Sequence, residues 1–501
     1  PGYPDPRPEG KVFLRCGLRR MVKRRVVQRS FETRFRFVVR TAVALGFAVA
    51  CAADAPSDSR PDVLLITVDT LRADALHTSG FPQDSTPRMD ALAARGVLFE
   101  RAIAASSRTV PSHASMMTSR WVRGHSVGSF NGSTRLEGAS TLAQRFREAG
   151  YDTAAFVSNF VLKRRTGLDA GFDTYDDTML ETESNREILT ERTASETTVA
   201  ALAWLADRGD NPVFLWVHYQ DPHGPYRPPD SFRDKLAPVQ TRVLRDLPVL
   251  DRDSGRGGIP RYQVIEDERS PGFYAQRYAE EIAYTDQQVG ELVDVFEQRS
   301  AQRESVILLT ADHGESLGER GFFFQHGERT SPDQVVVPFI VVGPGIPQSR
   351  QPDLVSHVDL APTLLELASL PGLEDAEGLS LVARAKGGDP LPGRTLFSES
   401  PREITAYRDR RYVQARPGPG ALPVEPLDPD GALRWYGFER APDGRWLAAE
   451  PFPELRDEVT DHLRARTPRA AAPELSDEDV ARLRALGYLP DPSPGESTGG
   501  D

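Results

Sequence analysis

The sequence predicts an α/β fold: a mostly parallel central sheet with helices on both faces, followed by a small C-terminal α+β subdomain. Three observations carry that reading. Apolar runs of strand length at 63–68, 153–157, 213–217, 306–310 and 335–342 alternate with amphipathic helical stretches. Two of the runs lead directly into an acidic residue, Asp69 and Asp312. After about residue 370 the composition shifts, with Pro and Gly concentrated over 384–430 and short strand-like runs such as 411–414.

A chain of 501 residues is long enough for one large domain and a smaller one. Hydrophobic residues at 39% and charged residues at 27% are ordinary for a globular protein. The net charge of −12 argues against nucleic acid as a partner, while an anionic small substrate needs only local positive charge.

Residues 1–51 read as an upstream extension and a targeting segment. Met21 is the expected start, and Lys23, Arg24, Arg25, Arg29, Arg34, Arg36 and Arg40 make a basic leader. The apolar run 41–50 suits a signal segment and is too short to span a bilayer. Cys51 ends that run like a lipoprotein cleavage site, so export to the periplasm or cell surface with a lipid anchor at Cys51 is expected. Cys16 and Cys51 are the only cysteines, so the region after residue 51 holds no disulfide.

A polar linker at 52–60 precedes the first strand, 63–68. Thr86-Pro87 opens a helix as N-cap and first residue, with Gly96 closing it. Ser140 opens another, with Leu142, Phe146 and Ala149 on its apolar side and Gly150 at its end. Residues 227–272, rich in Pro, Arg and Asp, form a long insert, either a surface loop or a lid. A long amphipathic helix runs from about Tyr274 to Phe296. Pro338 pushes the 335–342 strand to an edge or splits it. Residues 61–370 are therefore read as the catalytic domain, 371–489 as the C-terminal subdomain and 490–501 as a disordered tail.

Open α/β sheets bind ligands at the carboxyl ends of their strands, so Asp69 and Asp312 can converge on one crevice. Asp312-His313 offers adjacent oxygen and nitrogen donors that suit zinc or manganese better than calcium. Thr109 precedes Pro111, which fixes a first helical turn, and a helix start favours negative charge on the hydroxyl and on a bound anion. The plain alternative makes Thr109 an N-cap only. His223, in the turn after the 213–217 strand, is placed to protonate a leaving oxygen, and His326 supplies another imidazole. Asp221, His223 and His326 together form a possible second metal site.

The blocks at 68–74, 111–115, 221–226, 312–315, 324–327, 337–345 and 356–367 follow one another in the order found in sulfatases, and 483–489 resembles the end of bacterial relatives. Over roughly 61–370 the chain resembles the sulfatase branch of the alkaline phosphatase superfamily. The resemblance implies an alkaline-phosphatase-like fold and a sulfuric ester hydrolase that uses one divalent ion (zinc, manganese or calcium) and a covalent intermediate. It implies Asp69, Asp312 and His313 as metal ligands, Thr109 as nucleophile, and His223 and His326 as catalytic groups contacting an anionic ester.

Departures from the family pattern are informative. Thr109 stands where sulfatases carry the Cys or Ser that becomes formylglycine, so no formylglycine is expected. Thr70 replaces a second aspartate, and His113 replaces the arginine that supports formylglycine. Asn159 lies where lysine and histidine are usual, leaving Lys163, Arg164 and Arg165 as substitutes; His113, Lys163 and Arg164 are the expected substrate-binding groups. Superfamily phosphodiesterases and phospho-group transferases use threonine at this point, so both remain alternatives, beside an inactive substrate-binding pseudo-sulfatase.

Overall fold

The computed structural model describes residues 59–128, 134–183, 185–417, 433–442, 444–465, 476–477 and 479–481. The leader, Cys51 and the 490–501 tail lie outside the described residues. Among the described residues, no helix is long and apolar enough to cross a membrane.

The centre is a nine-stranded mixed sheet. Its strands are β1 (Asp62–Val68), β2 (Val97–Ile103), β3 (Asp152–Phe156), β4 (Thr174–Asp176), β5 (Val213–Tyr219), β6 (Ser305–Ala311), β7 (Val336–Val337), β8 (Phe339–Val342) and β9 (Ser349–Ser356). The spatial order is β7-β2-β8-β6-β1-β5-β3-β4, with β9 also paired to β2. From β6 to β4 every pair is parallel, whereas β8 runs antiparallel to both of its neighbours. β1 and β5 are buried along their whole length, as strands covered on both faces must be. Each fully buried Val, Leu or Ile in them contributes about 1.5–3 kcal/mol relative to exposure.

All five expected strands form, and the 335–342 run divides at Pro338 into β7 and β8, because proline has no amide for the ladder. β2 and β9 were not read from the sequence: β2 carries Glu100 and Arg101 amid its apolar residues, and β9 holds Pro352.

The helices that matter for the site are α1 (Pro87–Ala93), α2 (Thr109–Thr118), α3 (Leu142–Glu148), α4 (Ala194–Ala206) and α5 (Pro271–Arg299). α1 opens at Thr86-Pro87 as expected but stops at Ala93. Gly96 serves instead a close approach to β8, where a Cβ would stand 2.3 Å from the Val341 carbonyl oxygen. α3 is capped by Thr141 rather than Ser140, through a reciprocal box with Gln144. α5 contains the whole expected 274–296 helix and extends it at both ends.

A second sheet of five antiparallel strands spans Leu396–Ser400, Glu403–Arg408, Arg411–Pro417, Leu433–Arg440 and Trp446–Ala449. Helix Pro453–Arg464 packs Val459 and Leu463 onto Ile404, Ala406 and Ala415 of that sheet. Residues past 370 thus carry the small α+β element that their composition predicts.

Candidate functional site

The site is built at the carboxyl edge of the two central strands. β1 and β6 pair in parallel with Val68 opposite Ala311, so the next residues, Asp69 and Asp312, sit side by side. Both are fully buried. Thr70 adopts φ 57°, a left-handed conformation costly for a β-branched residue. That turn points the Thr70 amide at Asp312 Oδ1, 3.2 Å away, and the His313 amide donates to the same oxygen at 2.8 Å. Asp312 Oδ2 has no hydrogen-bond partner. On Asp69, Asn159 Nδ2 donates to Oδ2 at 2.8 Å, while Oδ1 has no partner.

His313 completes the arrangement. Its Nδ1 donates to the Gly314 carbonyl at 3.0 Å, which leaves Nε2 with a lone pair. Nε2 lies 3.4 Å from Asp312 Oδ2, 3.8 Å from Asp69 Oδ1 and 3.3 Å from the Thr109 hydroxyl. Thr109 is the first residue of α2, with Arg108 in the N-cap position, so the N-cap reading of Thr109 is not what the helix shows. All ten residues of α2 are buried, which fixes the hydroxyl against the strand ends.

These donors fit a divalent ion. Ligands about 2.0–2.2 Å from a tetrahedral centre are separated by about 3.3–3.6 Å, close to the distances here. Two buried carboxylate oxygens without hydrogen-bond donors face an imidazole lone pair. Burial, and then the charge of Asp69, push the Asp312 carboxyl up from its usual range. A cation in the cluster offsets both penalties.

Two residues beside this cluster were not chosen as site residues from the sequence: Asn159, noted there only as a departure from the family pattern, and His218. Asn159 hydrogen-bonds Asp69, as given above. His218, on β5 opposite Thr67, is wholly buried, and its Nε2 stands 3.6 Å from Asp69 Oδ2 without a hydrogen bond. Burial holds its pKa down to about 4. His218 lies inside its strand, opposite Thr67 rather than at the strand end, so the argument that selects Asp69 does not select it.

The expected substrate-binding groups fall elsewhere. His113 is wholly buried with both nitrogens engaged: Nδ1 donates to the Thr109 carbonyl at 2.8 Å, and Nε2 accepts from the Thr67 hydroxyl at 3.1 Å. It lies behind Thr109 rather than facing a substrate. Lys163 Nζ sits over the Phe160 ring, and Arg164 reaches Asp169 and Asp177 at 3.7 and 3.8 Å. Arg165 stacks on Phe160 at 4.1 Å. The short helical turn after Asn159 carries Arg164 to the surface and seats Lys163 and Arg165 against Phe160, leaving Asn159 at the site.

The histidine pair is partly assembled. The rings of His223 and His326 are 5.0 Å apart, and His326 is 4.3 Å from the His313 ring. His326 Nδ1 donates to Glu315 Oε2 at 3.3 Å, and His223 Nδ1 donates to the Gly224 carbonyl at 2.8 Å. Asp221 does not join them. Its Oδ2 accepts the Ala194 amide at the start of α4, at 2.7 Å, and burial raises its pKa to about 6. Among the described residues the groups with metal-ligand spacing are Asp69–Asp312–His313 and His113–His218–Asp312, not Asp221–His223–His326. The 227–272 insert braces the opening: Tyr262 OH and Gln263 Nε2 donate to the Phe324 carbonyl at 3.1 and 3.0 Å.

Comparison with known proteins gives one consistent answer. Residues 61–370 match the family model described as Sulfatase. The chain is 26% identical over 382 residues to a Δ4,5-hexuronate-2-O-sulfatase of Bacteroides thetaiotaomicron, covering 67% of this chain and 74% of that one. It is 23% identical over 383 residues to an arylsulfatase of Clostridium perfringens, covering 64% and 78%. Among solved structures, the phosphonate monoester hydrolase of Agrobacterium radiobacter superposes with a TM-score of 0.60 at 18% identity, covering 86% of this chain and 96% of that one.

Proposed function

The chain belongs to the sulfatase family, and from that premise we propose that it hydrolyses sulfate esters of saccharides through the unmodified hydroxyl of Thr109. The observation that carries the reading is the convergence of the Thr109 hydroxyl, Asp69 Oδ1, Asp312 Oδ2 and His313 Nε2 in one buried cluster. Asp69, Asp312 and His313 would hold one divalent ion, zinc or manganese by their mixed oxygen and nitrogen donors. Such an ion, when bound, lowers the pKa of a neighbouring hydroxyl and neutralises an anionic ester. The substrate class is supported by the relative named as a hexuronate-2-O-sulfatase.

The chain's own residues account for the remaining steps. The start of α2 orients Thr109, and the positive end of the helix favours the ester's anionic oxygens. Thr109 Oγ, its proton having passed to water, attacks sulfur and forms a threonine sulfate ester as the bond to the leaving oxygen breaks. His326, held by Glu315, delivers a proton to that oxygen, with His223 beside it. Water then cleaves the threonine ester, releasing sulfate and restoring the hydroxyl.

The test is turnover of aryl sulfate, phosphate monoester and phosphodiester by wild type, Thr109→Ser and Thr109→Ala. Serine keeps part of the activity and alanine loses nearly all of it. Undiminished turnover by the alanine variant would overturn the reading. The second reading, a phosphodiesterase or phospho-group transferase using Thr109, is favoured by the threonine itself, since sulfate release from threonine lacks the elimination route open to formylglycine. It prevails if phosphoesters are turned over faster. Export and lipidation at Cys51 complete the proposal, on the basic leader and apolar run alone; labelled fatty acid is incorporated by wild type and not by Cys51→Ala.

A further inference from the structure

Phe322 lies on the segment that leads to His326, and two guanidinium groups stack on its ring: Arg329 at 4.1 Å and Arg256 at 5.1 Å. Arg256 comes from the long insert, which bridges to Phe322 and donates the Gly257 amide to the Gly321 carbonyl at 2.8 Å. Arg320 and Arg416 both donate to Gln414 Oε1, at 3.4 and 3.1 Å, so a third and a fourth cation stand close together beside this ring. Glu403, a carboxylate among them, is already engaged. It pairs with Arg416 and accepts from the Thr330 amide, the Thr330 hydroxyl and Gln414. Among the described residues Arg256, Arg320 and Arg329 form no ion pair with an acidic side chain.

Four guanidiniums face two carboxylates, Glu403 and, near Arg320, Asp333, which leaves an excess of positive charge in a chain of net charge −12. Burial, and then the charge of Arg416 with Arg256 and Arg320 adding to it, lower the Arg329 pKa. The cation–π contacts with Phe322 hold two of the side chains in place without neutralising them. Arg320 also donates to the Tyr412 hydroxyl at 2.7 Å and Arg416 pairs with Glu403, so both are oriented by neutral or shared partners, while Arg256 and Arg329 are held by the Phe322 ring. Planar guanidiniums held in this way suit sulfate oxygens, which they meet in bidentate fashion.

We propose that Arg256, Arg320, Arg329 and Arg416 form an anion subsite that binds a further sulfate group of a multiply sulfated saccharide chain. Arg329 follows His326 by three residues in the chain, and Arg256 lies on the insert whose Tyr262 and Gln263 bond the Phe324 carbonyl, so the same two segments carry the arginines and His326. This inference rests on the proposed function for the identity of the anion, and not for the existence of the subsite.

The experiment measures binding calorimetrically in a Thr109→Ala background, so that turnover does not intervene. The probes are a tetrasaccharide carrying four sulfates, the same tetrasaccharide carrying one, and tetraphosphate. The tetrasulfated probe binds at least about tenfold tighter than the monosulfated one, and that advantage disappears in Arg256→Ala/Arg329→Ala. Arg256→Lys/Arg329→Lys, which keeps charge but not the planar fork, retains part of it, and unchanged melting temperatures show that the variants are folded. Equal affinities for the two saccharides, or an advantage that survives the double alanine variant, overturns the proposal. Tighter binding of tetraphosphate than of the tetrasulfated probe overturns the sulfated-saccharide assignment. Loss of the subsite leaves turnover of a small aryl sulfate by the Thr109 protein intact, so failure here and failure of the catalytic reading are distinguishable.

Discussion

The hydroxyl of Thr109 lies 3.3 Å from Nε2 of His313, although 204 residues separate them in the chain. Because Nδ1 of His313 donates to Gly314, Nε2 meets the hydroxyl with a lone pair. That relationship places the first residue of a buried helix against the end of the β6 strand, and it locates the chemistry more narrowly than either residue does alone.

Metal content is the most direct check. Protein purified without chelator carries about one divalent ion per chain, and Asp312→Asn or His313→Ala lowers that by at least about tenfold. Chelation lowers the melting temperature of wild type, because an ion that binds only the folded state stabilises it by mass action. Metal analysis beside a thermal melt decides the matter. An ion-free wild type whose melting is indifferent to added zinc or manganese would remove the proposed centre.

Asn159 is expected to tune that centre. Its Nδ2 fixes Asp69 Oδ2, so that Oδ1 alone faces the cluster. Asn159→Ala frees the carboxylate to rotate and weakens metal affinity about 10- to 100-fold, the usual cost of losing an outer partner of a ligand. Competition titration with a chromogenic chelator reads this out. An unchanged affinity would show that the strand end, not Asn159, sets the carboxylate.

The backbone of the site was legible in the sequence because it rests on local rules. A parallel strand buried on both faces reads as an apolar run, and the first acidic residue after it falls at the ligand edge, as Asp69 and Asp312 do. Thr109 was legible from Pro111 two residues on. The side chains that act across the sheet were not. His218 is one polar residue inside an apolar strand, and only the β1–β5 register brings it to Asp69. Lys163 and Arg164 were chosen for charge, but the short turn after Asn159 carries them to Phe160 and to Asp169. β2 was hidden for a similar reason, since Glu100 and Arg101 break its apolar pattern in mid-strand, where the pairing with β9 shifts register.

Buried histidines predict acid lability. His113, His125 and His357 are wholly enclosed, and burial holds each pKa down to about 3. Their unfolded value is roughly 6.5, so between those limits the unfolded chain binds more protons than the folded one. Their stabilisation is complete above about pH 6.5 and is lost as pH falls, by about 1.4 kcal/mol per pH unit for each imidazole. His357 is the cleanest probe: Nε2 donates to the Ala311 carbonyl at 2.9 Å and Nδ1 accepts the Ala105 amide at 3.3 Å. His357→Ala lowers stability at pH 7.5 by about 2–5 kcal/mol and makes the acid limb shallower by one proton. Denaturant melts from pH 4.5 to 7.5 measure both, and an unchanged slope would mean that His357 is already charged in the folded protein.

A chain of three hydrogen bonds runs behind Thr109, the proposed nucleophile, and supplies the final prediction. Trp216 Nε1 donates to the Thr67 hydroxyl at 2.9 Å, that hydroxyl donates to His113 Nε2 at 3.1 Å, and His113 Nδ1 donates to the Thr109 carbonyl at 2.8 Å. Each polar atom has one role, so the tautomer of His113 and the position of the first turn of α2 are set together. Thr67→Val keeps the shape but strands the indole donor and the imidazole acceptor, each at a cost of about 1–3 kcal/mol. With Nε2 unpaired, the proton on Nδ1 is no longer fixed, and the Thr109 carbonyl loses a committed donor. Turnover then falls while KM changes little, since Thr67 is fully buried and has no route to the substrate. Thr67→Ser, which keeps the hydroxyl, restores most of the turnover at similar stability. If Thr67→Val lowers only the melting temperature and leaves kcat at the wild-type value, the chain is a packing device and does not position Thr109.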